Sequence, residues 1–574
     1  MTTFQIQVKR VRKWMIIGLT FALINCGCDL FWPTIIATIV DDGIAAGNAL
    51  HVRNMLLMMC GVAIFSCTIK YLKNMCAITT GNVYSRNMRR DLFERVLELP
   101  GSDVGHFGAA ALVTRCTNDI TQVGSTLDSF IRMMVRIPLT IIAGMVLAYM
   151  MDWRFALIIT LVMPVIIGLC IWVLRTTTPR YERIQKALDR FNLVLREKLW
   201  GVRVIRVFCR DRVEELRLDA ANDEMADETI AVERRMGLLS PLMTMVVSLT
   251  ILLLTTYGAA RAVRGTLQVG VLISCVQYAN QILMSVVQSA TIMTRIPRAL
   301  VSIRRIEEVM DYTPAVSDHG TKMPAGDIGC MTFEHVAFRF AGAQADALHD
   351  LSFTVKKGET LAIIGATGCG KTTLMNLAER FADPTAGSIR LGDTDFREIP
   401  QKELRKRIAV VPQHAFLFEG TIRDNLYYGN PGATEAEIRQ ALEISQAAEF
   451  VDAFPEGLEH HVASGGSNLS GGQRQRLAIA RALLRKPDFY LLDDSFSALD
   501  LKTDAAVRAA LKEQVKGAAF LIVAQRIGTI RDADRILVLS DGRVAGLGTH
   551  DELLQTCSVY REIAESQLTG GEEA

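Results

Sequence analysis

Six apolar runs in the first half of the chain constrain its fold more than any other feature. They fall near 14–40, 54–79, 131–151, 154–174, 239–262 and 268–292. A run of about 20 apolar residues is enough helix to cross the hydrocarbon of a bilayer. No water is available there to pair with backbone N–H and C=O groups, so such runs are expected to be helices. Basic residues Lys9, Arg10, Arg12 and Lys13 precede the first run, and no small-residue cleavage site follows. That pattern predicts a retained first membrane helix rather than a signal peptide. Basic residues also favour 84–136 and 175–235. By the positive-inside rule, both chain ends and two long loops are then cytoplasmic. The expectation is a multi-pass protein of the cell (inner or plasma) membrane, with the lipid bilayer as one partner.

The long charged loops have order of their own. Arg86–Pro100 and Arg180–Asn222 carry apolar residues at three- and four-residue spacing with charges between them, which predicts helices continuing out of the membrane. A net charge of +2 leaves no excess of basic residues to neutralise phosphodiesters, so nucleic acid is not an expected partner. The 12 cysteines lie scattered through apolar runs without C-x-x-C pairs, which argues against a disulfide or zinc framework. Within the spans, Asp29 stands out, since an ionisable group at membrane depth faces a cavity or a partner. It is a candidate for the substrate path and equally for an interhelical ion pair. Arg132 and Arg136 are expected near a membrane edge, where their stems can snorkel.

From 311 to 328 the apolar periodicity breaks, with Pro314, Gly320, Pro324 and Gly326 marking a linker. Strand-like and helical runs alternate beyond it, which predicts an α/β domain over 329–574. The membrane domain is then 1–310. LAIIG runs as a strand into Gly365-Ala366-Thr367-Gly368-Cys369-Gly370-Lys371-Thr372-Thr373, which satisfies the phosphate-loop pattern G-x-x-x-x-G-K-[ST] in its strand–loop–helix context. Backbone N–H groups of such a loop cradle phosphates, the lysine reaches the β- and γ-oxygens, and the hydroxyl of Thr372 ligates Mg²⁺. A second glycine-bearing segment, Leu469-Ser470-Gly471-Gly472-Gln473, opens another strong helical pattern. One nucleotide rarely needs two such cradles from one chain. The economical reading makes each of them half of a site completed by another copy of the domain.

LSGGQ, the phosphate loop and the buried strand Phe489-Tyr490-Leu491-Leu492-Asp493 together resemble the ATP-binding cassette (ABC) transporters. Elsewhere in the chain, GHFGAAALVTRCTNDI and GVRVIRVFCRDRVEELR resemble the two coupling helices of the exporter-type members. The resemblance covers essentially the whole chain. It implies a six-helix α-helical membrane domain of the type IV exporter fold, followed by an α/β P-loop nucleotide-binding domain that uses ATP and Mg²⁺. It further implies that Asp493 holds Mg²⁺ through water, that Gln413 is the glutamine touching that ion, and that Phe340 stacks on adenine. Ser497-Ala498-Leu499-Asp500 resembles the D-loop. Ser470, Gly471, Gly472 and Gln473 would cover ATP bound to a facing domain.

Two departures from that family lie where water and the γ-phosphate are handled. The residue after the Walker B aspartate is usually glutamate and here is Asp494; the switch histidine appears as Gln525. Aspartate falls one methylene short, and a misplacement of about 1 Å can cost about 100-fold in rate. A glutamine donates a hydrogen bond but carries no positive charge. A third departure is softer: Ser464 stands where the family often has a glutamate before LSGGQ. Impaired catalytic residues beside an intact signature imply one subunit of a heterodimeric exporter, whose partner is a second ABC half-transporter with the competent site. A homodimeric exporter with slow sites and an ATP-gated channel or regulatory protein are the alternatives. The cargo is left open among small molecules, lipids and peptides, since fold does not decide it.

Overall fold

The computed structural model describes residues 3–323, 328–340 and 342–569, so Pro324 and Gly326 of the linker lie outside the described residues. The chain divides into two compact units. Met1–Leu97 and Gly108–Tyr312 form the first; Glu98–Phe107 and Thr313–Ala574 form the second. The short helix Gly101–Phe107, inside the span assigned above to the membrane domain, therefore clusters with the second unit, where the Asp103 carboxylate accepts a hydrogen bond from the Ala315 amide at 2.9 Å.

Six helical stretches of the first unit are long and apolar enough to cross a membrane: Thr3–Ile44, Ala49–Glu98, Ala109–Met151, Trp153–Trp200, Asp211–Val263 and Val269–Ser289. At 1.5 Å per residue, the 53 residues of Asp211–Val263 extend far beyond a hydrocarbon core of about 30 Å. Polar side chains within the apolar stretches are satisfied locally. The Thr80 and Thr250 hydroxyls donate to the carbonyls of Cys76 and Val246, each at 2.7 Å. Gly81 and Gly124 let two helices cross closely: a Cβ at Gly81 would stand 2.6 Å from the Gly124 carbonyl oxygen. Asp41, in the last turn of the first stretch, caps the sixth by accepting from the amides of Gly270 (2.7 Å) and Val271 (3.2 Å).

Trp153–Trp200 and Asp211–Val263 run as a pair, tied by Arg190–Glu224 and Arg217–Glu197, each at 2.8 Å. Both pairs are exposed and add little stability. The helix Val202–Val207 turns between them with no residue buried, and Trp200, Val204, Val207 and Phe208 stand open around it. Asp29 lies 3.7 Å from the Arg136 guanidinium, and its Oδ2 accepts no hydrogen bond among the described residues. Nearby in sequence, Asn25 accepts a hydrogen bond at 3.2 Å from the buried Lys73 ammonium.

The second unit holds two main sheets. Strands β1 (Cys330–Phe338), β2 (Leu348–Lys356), β4 (Ala386–Leu391) and β5 (Thr394–Asp395) form an antiparallel sheet in the order β2-β1-β4-β5. Strands β3 (Thr360–Ile364), β6 (Ile408–Val411), β9 (Phe489–Asp493), β10 (Ala519–Val523), β11 (Arg535–Ser540) and β12 (Arg543–Gly548) form the other, ordered β12-β11-β3-β10-β9-β6. All pairs there are parallel except β11–β12. Strands covered on both faces read as continuous apolar runs, and all five residues of β10 are buried. A small ribbon of β7 (Gly420–Thr421) and β8 (His461–Val462) accompanies a helical region. In that region Ile422, Leu426, Ile438, Leu442, Leu477 and Leu483 pack with Tyr490 and Leu492 of β9.

Candidate nucleotide site

Parallel register brings four strand ends to one edge. Val523 lies opposite both Ile363 and Asp493, and Val411 lies opposite Leu492, so β3, β10, β9 and β6 finish side by side. The segments leaving those ends carry Gly365–Thr373, Gln525, Asp493–Asp494 and Gln413. Ligands of open parallel sheets bind outside such carboxyl ends. Hydrogen bonds knit the edge together. Ala524 N–H donates to the Ile363 carbonyl (3.2 Å), Asp494 N–H to Val523 (2.9 Å), and the Ser495 hydroxyl to Val411 (2.9 Å).

The glycine loop wraps tightly before the helix Lys371–Ala378. Gly370, its N-cap, has φ +104°, a conformation open to glycine and strained for other residues. A Cβ at Gly365 would stand 2.1 Å from the Leu539 carbonyl oxygen. Lys371 Nζ donates to the carbonyls of Gly365 (2.8 Å) and Ala366 (2.9 Å), holding the ammonium over the loop. Cys369 is buried with its sulfur 3.8 Å from that ammonium. Ala366, Thr367, Gly368 and Thr372 are exposed, and Thr373 is half-buried. Phe340, half-exposed beyond the end of β1, meets Phe338 edge to face with centroids 5.0 Å apart.

Asp493 and Asp494 end the strand differently. Burial pushes the Asp493 carboxyl above its ordinary value; the neighbouring Asp494 adds to this and Lys371 opposes it. A divalent cation relieves that kind of strain between adjacent carboxylates. The oxygen donors of Asp493, Thr372 and Gln413 are of the hard type that Mg²⁺ takes. Asp494 is buried and sits at φ +46°, in the left-handed region few non-glycine residues adopt. Two side-chain amides converge on its Oδ2: Gln525 Nε2 at 2.9 Å and Gln413 Nε2 at 3.3 Å. The structure thus brings together Gln413, Asp494 and Gln525, a triplet that sequence spacing alone does not pair.

The signature lies apart from this edge. Ser470 is the N-cap of helix Gly471–Leu484 in a reciprocal capping box: its Oγ accepts from Gln473 N–H (3.2 Å), while Gln473 Oε1 accepts from Ser470 N–H (2.9 Å). The box uses the third helical amide and leaves those of Gly471 and Gly472 at the open helix start. A Cβ at Gly471 would meet nothing nearer than the Ala498 Cβ at 4.0 Å, and one at Gly472 would meet the Ala498 carbonyl at 3.2 Å. Among the described residues no hydrogen bond or ion pair joins 470–473 to 365–373.

A glutamine that carries no motif also enters the geometry. Gln567, on the helix Ser558–Thr569, holds the backbone of the Gln525 segment through two hydrogen bonds. Nothing in the local sequence singles it out, because its partners lie 40 and 42 residues away.

Comparisons with known proteins show the family of the chain. The family described as ABC transporter transmembrane region matches residues 15–286, and the family described as ABC transporter matches 348–497. An uncharacterized ABC transporter ATP-binding protein of Mycobacterium tuberculosis is 35% identical, with 98% of this chain and 97% of that protein covered. An ATP-dependent lipid A-core flippase of Bordetella pertussis is 31% identical, with 96% and 89% covered. A solved bacterial Atm1-family ABC exporter with ATP bound superposes with TM-score 0.80 at 25% identity, covering 97% of this chain and 99% of that one. A membrane unit joined to a P-loop ATPase unit defines an ATP-driven membrane transporter. The chain belongs to the ABC transporters, and it has the exporter-type half-transporter arrangement: six membrane helices followed by one nucleotide-binding domain.

Proposed function

We propose that this chain is one half of a heterodimeric ATP-driven exporter, with a slow nucleotide site of its own and a signature that completes the partner's faster one. The observation that carries this reading is the corner at Asp494. Its carboxylate is short, lies at a strained backbone position, and has one oxygen engaged by both Gln413 and Gln525. A general base needs a basic oxygen within reach of the water it activates, and among the described residues no histidine hydrogen-bonds to this carboxylate.

In this reading the amides of 366–373 and the Lys371 ammonium hold the β- and γ-phosphates, and Phe340 offers its face to adenine. Thr372, Gln413 and Asp493 would hold Mg²⁺, which would neutralise charge on the phosphate oxygens when bound. Asp494 and Gln525 orient water poorly, so ATP persists at this site. Ser470 and the Gly471–Gly472 amides face ATP bound to the partner, where they stabilise developing charge. Closure of two ATPase domains on shared nucleotides then drives the membrane units between inward- and outward-facing states, with the ATPase domains cytoplasmic. The named activity of the Bordetella relatives favours an amphiphile among the open cargo classes. Asp29, close to Arg136 with an oxygen that accepts no hydrogen bond, remains the candidate contact on its path.

Purified alone in lipid nanodiscs, this chain should show little ATP turnover, and addition of its cognate half-transporter during assembly should restore it. Turnover by the chain alone matching that of the assembled pair would overturn the heterodimer and favour a homodimeric exporter. ATP-dependent accumulation of a tracer against its gradient separates a pump from an ATP-gated channel.

A further inference from the structure

The segment after β10 leaves the sheet at Ala524, and the short helix Ile527–Ile530 that follows has no side-chain cap from its own N-cap residue, Arg526. Gln567 fills that gap from the far end of the chain. Its Oε1 accepts from Ile527 N–H at 2.8 Å, and its Nε2 donates to the Gln525 carbonyl at 2.7 Å. A primary amide is suited to this double role, since a carboxylate cannot donate and an ammonium cannot accept. The helix carrying it is firmly seated. Tyr560 and Ala564 are buried, and the Tyr560 hydroxyl pairs with His550 Nδ1 at 2.7 Å.

A separate anchor holds the other end of the segment. The Thr529 hydroxyl donates at 3.1 Å to Asp504, a buried carboxylate that Arg508 engages at 2.7 Å. The two anchors differ in what they fix. Asp504 grips Thr529, four residues from Gln525, whereas Gln567 grips the backbone carbonyl of Gln525 itself. The side chain of Gln525 then reaches Asp494 at 2.9 Å. Supports of this kind hold a reacting group within the small tolerance that chemistry allows.

We propose that Gln567 is a positioning residue for Gln525, which makes the C-terminal helix a working part of the nucleotide site. Gln567 acts through the backbone, to which both polar atoms of its amide are bonded. The inference rests on the reading that ATP binds at Gly365–Thr373. It does not depend on whether the assembly is a heterodimer or a homodimer.

The test uses the full-length protein in nanodiscs, with its partner where the pair assembles, and labelled ATP bound at this chain's own site. Single-turnover hydrolysis, ATP affinity and melting temperature are measured for Gln567→Ala, Gln567→Glu, Gln525→Ala and the double variant Gln525→Ala/Gln567→Ala. Loss of Gln567 should slow single turnover by about threefold to tenfold, the range that one net hydrogen bond supports. ATP affinity should hold. Gln567→Glu should be no better than alanine, because it keeps the acceptor for Ile527 but loses the donor for Gln525. In the Gln525→Ala background, removing Gln567 should add nothing, as two residues acting in one chain are non-additive. Multiplicative effects in the double variant, or wild-type turnover by Gln567→Ala or Gln567→Glu, would overturn the proposal. A fall in melting temperature alone, with turnover unchanged, counts equally against it. Rapid turnover by the unpartnered wild-type chain would refute the heterodimer reading, while the cycle would still decide the role of Gln567.

Discussion

The signature loop and the Asp494–Gln525 corner both belong to the ATPase unit, yet their polar groups are arranged in opposite ways. At Ser470–Gln473 the side chains are turned inward, each capping the other's backbone, and two glycine amides are left at the open end of a 14-residue helix. At Asp494 the reactive side chain is the one engaged, with two amides on a single oxygen. In the function proposed here, the first arrangement offers its free amides to a phosphate from outside the chain. The second holds its own carboxylate in place, with one oxygen already occupied by two donors. Their difference supports a division of labour in which this chain assists hydrolysis on its partner more than it performs its own.

The largest expected effect is at the signature. Gly471→Glu should fold normally, since a Cβ there meets only the Ala498 Cβ at 4.0 Å and no positive φ is imposed. It would place a carboxylate where the partner's γ-phosphate is expected. Removing one donor to developing charge costs about 10²–10³ in rate, so ATP turnover of the assembled pair should fall at least that far. Ser470→Ala should fall less and should also lose about 1 kcal/mol of helix capping, visible as a lower melting temperature. Normal turnover by assembled Gly471→Glu pairs would end the comparison as drawn.

Asp494→Asn should do far less. Asparagine tolerates the left-handed backbone at this position, and its carbonyl still accepts from Gln413 and Gln525. Turnover of the assembled pair should change by less than about threefold, the scale of a single net hydrogen bond or less. A collapse of turnover here, with the signature variant unaffected, would reverse the two roles.

The two corners were not equally legible in the sequence. The phosphate loop and the signature are contiguous motifs whose glycines answer to local geometry, so their residues and helix starts were readable directly. The six spans were readable for the same reason, as local apolar length. The convergence of Gln413, Asp494 and Gln525 is different, because parallel register over three strands produces it and no local spacing encodes register. The span 1–310 read from the sequence as the membrane domain includes Gly101–Phe107, while long-range contacts such as Asp103 with Ala315, which no local pattern encodes, cluster that helix with the second unit. Gln567 was invisible for a related reason, being one polar residue on an amphipathic helix whose partners are long-range. The sequence marks Asp29 as an ionisable group at membrane depth, but only the structure sets Arg136 3.7 Å from it.

The effect of pH falls on stability rather than turnover, and it separates the corners by charge. Ser470–Gln473 carries no titratable group, whereas Asp493 and Glu379 sit behind the other corner. Burial raises the Glu379 carboxyl to about 8, with the charge of Asp493 adding and Arg405 opposing. An acid whose folded value lies above its unfolded one binds its proton more tightly when folded. Stability is then fullest below the unfolded value of 4.5 and declines as pH rises toward about 8. Between pH 6 and 8 the ATPase unit should therefore lose stability, by no more than about 1.4 kcal/mol per pH unit for this one proton. Glu379→Gln removes the proton without removing the side-chain volume, so it should flatten that slope. Ser470→Ala should lower the whole curve and leave its slope unchanged. Melting curves of the full-length protein at four pH values, for wild type and both variants, read the two effects separately. An unchanged slope in Glu379→Gln would show that the buried carboxyl is not the group that titrates, and the electrostatic half of the comparison would have to be given up.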